Sequence, residues 1–206
     1  MNRLLLISIF VCSALQLTAQ SSPAKAQDIK ISLASSTPAE QQTKTQLERL
    51  LKTYDLSKWI MTKSVVIDEK ATPHSHPVLT LSARHVKDDE LLLATFVHEQ
   101  MHWFVIQDGR DIDAAIAEFK KMFPNAPTAP PEGARDENST YLHIAVCYLE
   151  YRATRELLGE LRAKQVIQFW TTDHYTWVYK TVLDRTRDIG QVMFKYKLIP
   201  PETKKQ

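Results

Sequence analysis

Residues 91–106, LLLATFVHEQMHWFVI, constrain the fold of this chain more than any other stretch. Their apolar side chains fall on every side of an α-helix rather than along one stripe, and a helix of that kind has to lie inside the protein with other elements packed around it. Asp88 or Asp89 can cap its start, so the helix runs from there to about Ile106. Three ionisable residues, His98, Glu99 and His102, stand in its middle. A buried carboxylate without a partner costs several kcal/mol or gives up its charge, so these residues need partners or a task.

The remaining segments supply what packs around that helix. AEQQTKTQLERLLKTY, residues 39–54, has the 3.6-residue period of an amphipathic helix, and WIMTKSVVIDE, 59–69, reads as a strand. HPVLTLSARHV, 76–86, reads as a second strand, with Pro77 suited to a sheet edge. IDAAIAEFKKMF, 112–123, is a helix stopped by the Pro-rich loop 123–138. Ser139 can cap a long helix from 140 that Gly159 closes, and two further helices are expected at 161–170 and 173–189. The pattern predicts an α+β fold with a small β-sheet beside a helical bundle, in one domain over 39–206.

Residues 1–20 read as an export signal: Asn2 and Arg3, then LLLISIFVCSALQL, then small residues around Ala19. Cleavage is expected within 19–26, and the apolar run is too short to span a bilayer comfortably. A secreted or periplasmic protein with no stable membrane span follows. Residues 21–38, rich in Ser, Ala and Pro, are expected to be a loose lead-in. Once the signal is removed only Cys147 remains, so no intramolecular disulfide can form and Cys147 is expected to be a buried, inert thiol. The formal charge is +2 with Lys and Arg scattered along the chain, which lacks the basic stripe of a nucleic-acid binder.

His98 and His102, four apart on a helix, differ by about 40° in direction and stand about one turn apart, so both can hold one metal ion. Zn2+ takes imidazole nitrogen readily and, with an open position, acidifies a water to a pKa near about 7. Glu99, the next residue along, can take the proton as general base. A purely structural zinc site normally recruits a fourth protein ligand, often Cys.

The H-E-x-x-H of residues 98–102 resembles the zincin metallopeptidases, over about residues 60–155. The metzincin continuation fails, because its Gly and third His fall on Val105 and Asp108; peptide deformylases use an upstream Cys, and Cys147 is downstream. The gluzincin branch takes its third ligand from a Glu in E-x-x-A/S-D, which EYRAT, Glu150 to Thr154, matches with Thr154 in place of Asp. The resemblance implies His98, His102 and Glu150 as ligands; His143, on the same helix, is the alternative third that the sequence itself offers. Seven residues apart, Glu150 and His143 share a helix face but lie roughly 10 Å apart along it, so one ion takes one of them. Thr154 can orient a ligand histidine. Zincins also need a donor for the tetrahedral oxyanion, and His174 and Tyr175 are the candidates. The expected function is an exported zinc-dependent metallopeptidase acting on a peptide or protein substrate, with HPVLTLSA lining the cleft and pairing with extended substrate. The alternative is a non-catalytic secreted binding protein with a structural or degenerate metal site. His74 and His76 are expected in a surface turn, His85 at a strand end, and the aromatic residues of 169–182 in the core.

Overall fold

Ile29, Ile31 and Leu33 alternate with Lys30 and Ser32, and this period of two makes Lys30–Leu33 a strand, β1, with its apolar side half buried. The expected loose lead-in therefore ends earlier: its Ser/Ala/Pro content masked a short alternating run. The computed structural model describes residues 28–201, so the export signal, its cleavage region and residues 21–27 lie outside the described residues. Helix α1 (Pro38–Thr53) starts on a reciprocal cap in which the Thr37 hydroxyl accepts the Glu40 amide and the Glu40 carboxylate accepts the Thr37 amide. Strands β2 (Ser64–Ile67) and β3 (Leu79–Leu81) complete a parallel sheet in the order β1-β2-β3, with Ile31 opposite Val65 and Val65 opposite Leu79.

Parallel pairing forces the chain to cross back between β2 and β3, so residues 68–78 form a long loop over the sheet end. That loop closes the outer edge of β3. The Thr80 amide donates to the His74 carbonyl at 2.8 Å, and the His74 amide donates to the Thr80 carbonyl at 3.1 Å. At Thr80, in the middle of the 76–83 segment expected to pair with extended substrate, the outward amide and carbonyl are therefore already bonded within the chain.

Helix α2 (Asp89–Val105) carries the H-E-x-x-H segment, with the Asp88 side chain accepting the Glu90 and Leu91 amides. It is buried on nearly all sides, standing between α1 and the sheet on one flank and a helical bundle on the other. The bundle comprises α3 (Ile112–Met122), α4 (Glu137–Leu158), α5 (Glu160–Trp170), α6 (Thr176–Asp184) and α7 (Thr186–Lys195), and α4 touches each of its other members. The described residues thus form the expected α+β arrangement. Asp136, not Ser139, caps α4, its carboxylate accepting the Ser139 amide at 2.7 Å. The helix expected over 173–189 begins at Thr176, because Tyr175 is left-handed at φ 48°, and it breaks at Arg185.

Gln100, fully buried inside the motif, joins α2 to the approach to β2. Its Oε1 accepts the Met61 and Thr62 amides at 2.8 Å each, and its Nε2 donates to the Thr62 carbonyl at 2.9 Å. Gln100→Leu keeps the volume and removes all three bonds. It is expected to destabilise the fold by about 2–4 kcal/mol, seen as a melting temperature lower by roughly 6–12 °C, because each orphaned group bears its own desolvation cost. A shift under about 2 °C would show that these bonds contribute nothing net.

Candidate metal centre

On α2, the 3.6-residue period brings His98 and His102 to one face with ring centroids 5.1 Å apart. Helix α4 packs against that face and presents His143, whose ring lies 5.6 Å from His98 and 5.0 Å from His102. Ligand atoms of the three imidazoles all fall within 4.8 Å of one another, so the three residues could hold one metal ion. Glu150, two turns farther along α4, does something else. Its Oε2 accepts the Tyr179 hydroxyl at 2.7 Å and stands 2.9 Å from His98 Nδ1. Helix α4 thus bears both candidate third ligands, as expected from their spacing, with His98 between them.

The proton positions follow from these partners. The Ser139 carbonyl, 2.6 Å from His143 Nδ1, can only accept, so that nitrogen carries the hydrogen and Nε2 keeps its lone pair. His98 Nδ1 stands 2.9 Å from Glu150 Oε2, which also accepts the Tyr179 hydroxyl; with the hydrogen on His98 Nδ1 and donated to that oxygen, His98 Nε2 keeps its lone pair for a metal. Burial holds His98 down at about 4 and His143 at about 3, and lowers His102 well below its ordinary value, with the neighbouring imidazoles adding to the effect in the last two. All three rings are neutral in neutral solution, the form that ligates.

A second group, His98, Cys147 and Glu150, also has its ligand atoms within 4.8 Å. Here the atoms satisfy one another: His98 and Glu150 are directly hydrogen-bonded, and burial pushes the Cys147 thiol well up, which keeps it protonated. Cys147 is buried, as expected from the sequence.

No family model, curated protein or solved structure matches this chain.

What the site can do follows from its own geometry. Glu99 faces the same cleft as the three histidines and makes no hydrogen bond to any described residue. Burial, with the Glu150 carboxyl nearby, raises it to about 8. The cleft is a cavity of about 680 Å³ with one wall built by loop 72–76 and another by residues 130–135. Trp103, on α2, fixes the first wall by stacking on His76 at 4.1 Å and donating its indole N–H to the Ser75 carbonyl at 2.9 Å. The turn at His74 and His76 is exposed, as expected, and also forms a cleft wall, while His85 is a buried cleft residue packed edge-on to Trp170.

Tyr175 and His174 both reach the cleft. The Tyr175 ring lies 4.2 Å from that of His143, and burial pushes its hydroxyl up to about 12, so it stays protonated. His174 is anchored from behind: its Nδ1 bonds Asp173 at 2.7 Å, and Arg84 pairs with the same carboxylate. Sequence reasoning did not single out Gln100, Tyr179 or the Arg84–Asp173 pair, whose partners lie 29 to 89 residues away in the chain.

Proposed function

We propose that this chain is a zinc-dependent hydrolase of peptide bonds in which His98, His102 and His143 hold the metal and Glu99 is the general base. The observation that carries the reading is the unpartnered Glu99 carboxyl in the same cleft as three neutral imidazoles whose ring nitrogens come within 4.8 Å of one another. A structural site has no use for such a carboxyl and would normally take a fourth protein ligand. Three imidazoles leave a position open, which is the catalytic pattern.

Bound there, zinc would supply Lewis acidity and lower the pKa of a water into the neutral range. The chain's own residues do the rest. Burial raises Glu99 to about 8; in its ionised form, which a cation held by the three histidines would favour, it accepts a proton from the attacking water and passes it to the departing amine. Glu150 orients His98 through its Nδ1–H and is itself held by the Tyr179 hydroxyl, while the Ser139 carbonyl does the same for His143. Tyr175 offers a protonated hydroxyl beside His143, suited to stabilise developing charge on the carbonyl oxygen. Neutral His174 spends its Nδ1–H on Asp173, so it presents an acceptor to the cleft. Tyr175 is therefore the better donor of the two.

The test is metal analysis coupled to hydrolysis. The chain purified from zinc-supplemented culture is expected to hold one zinc per molecule and to cleave members of a peptide library. A strong chelator should remove both metal and activity, and zinc should restore both. Bound zinc without cleavage of any peptide would favour a binding protein with a structural site.

A further inference from the structure

All seven histidines of the chain line the cleft, together with Arg84 and Arg135. The only carboxylates among the lining residues are Glu99 and Glu150, both buried in its floor, and no lysine lines it. Three neutral imidazoles compensate none of the charge of a divalent ion, unlike a set that includes a ligand carboxylate. No lining residue of the mouth is acidic, the nearest carboxylates being those of Asp136 and Asp173, which are bonded to Arg135 and Arg84.

The two arginines differ in what they have left to offer. Both terminal nitrogens of Arg84 are bonded to Asp173. Arg135 is 88% exposed and contacts Asp136 through Nε alone, at 3.1 Å, leaving its terminal nitrogens without a hydrogen-bond partner among the described residues. It lines the same cleft as His143 and Tyr175, which places it beside the centre rather than on a remote face. The backbone around it is fixed. The Thr176 and Trp177 amides donate to the Pro131 and Glu132 carbonyls at 2.9 and 3.1 Å, and a Cβ on Gly133 would meet the Pro127 carbonyl oxygen at 2.3 Å.

We infer that the cleft selects substrates bearing a carboxylate next to the reacting bond, and that Arg135 is the residue that reads it. A planar carboxylate suits the two terminal N–H groups of a guanidinium. This rests on the hydrolase reading for the words "reacting bond", but the recognition itself does not depend on turnover. The carboxylate can belong to an acidic side chain or to a free C-terminus, and the two are separable by experiment.

Binding decides the matter independently of catalysis. Zinc-loaded Glu99→Gln protein is titrated calorimetrically with matched peptides carrying Glu or Gln at one position, each as the C-terminal acid and as the amide. At least one carboxylate source is expected to tighten binding by about 10- to 100-fold, with the advantage shrinking at high salt. Arg135→Gln should erase the advantage and leave the neutral amide peptides unchanged, while Arg135→Glu should turn it into a preference for Lys peptides. Equal binding of charged and neutral peptides, no binding of any, or an advantage that survives Arg135→Gln would overturn the inference. Failure of the wild-type chain to cleave peptides, with the binding pattern intact, would count against the hydrolase reading alone.

Discussion

Glu99→Gln is expected to retain its full complement of zinc and lose about 10²- to 10⁴-fold in turnover, the usual contribution of a positioned general base. Glu99 makes no hydrogen bond to the described residues, so the amide disturbs no protein contact, and it replaces a desolvated carboxyl with a neutral group of the same shape. Folding should be unharmed and the melting temperature unchanged or higher, because a carboxyl that resists ionisation is exchanged for a group that never ionises. Loss confined to kcat, with KM held, would be the signature of an interaction made only in the transition state. Hydrolysis that continues at the wild-type rate would remove Glu99 from the mechanism.

The second large effect concerns the third ligand. His143→Ala is expected to weaken zinc binding by on the order of 10³-fold or more, beyond the 10- to 100-fold typical for a residue that only orients a ligand. Glu150→Gln should fall inside that smaller range, since the amide oxygen can still accept from His98 Nδ1–H and from the Tyr179 hydroxyl. The conservative change at Glu150 matters, because Glu150→Ala would orphan two buried donors and confuse loss of metal with loss of fold. Equilibrium competition against a zinc chelator of known affinity measures both variants. Full zinc retention in His143→Ala together with loss in Glu150→Gln would make Glu150 the ligand and restore the set that the gluzincin resemblance implies.

The contrast between those two residues marks how far the sequence could be read. His98, Glu99 and His102 were legible because one helix carries all three and its period alone sets their geometry. His143 and Glu150 were legible as a shared stripe, but how far α4 slides along α2 is decided by packing between segments some forty residues apart, and no local pattern records it. The architecture followed from the all-round apolar character of α2 and from the alternation of helix and strand signals. The short strand at Lys30–Leu33 was hidden by its Ser- and Ala-rich neighbours, and the break at Arg185 has no proline or glycine to announce it. His74 and His76 read as surface residues and are exposed, and His85 read as a strand end; what their local stretches do not record is that the crossover required by parallel pairing carries 72–76 to the cleft. Tyr179 read as one aromatic among many until Glu150 stood 2.7 Å from its hydroxyl.

The contact between His74 and Thr80 has a meaning beyond the cleft. Small parallel sheets are exposed to a hazard, since any open edge offers a row of unpaired amides and carbonyls to the next molecule. At one border of this sheet that row is interrupted by the chain's own crossover, which occupies the amide and carbonyl of Thr80. At the other border β1 is only four residues long and turns Lys30 and Ser32 toward solvent, where a charge discourages a docking strand. A loop whose residues furnish one wall of the cleft therefore also keeps neighbouring molecules from adding strands, and shortening it to widen the cleft would invite self-association.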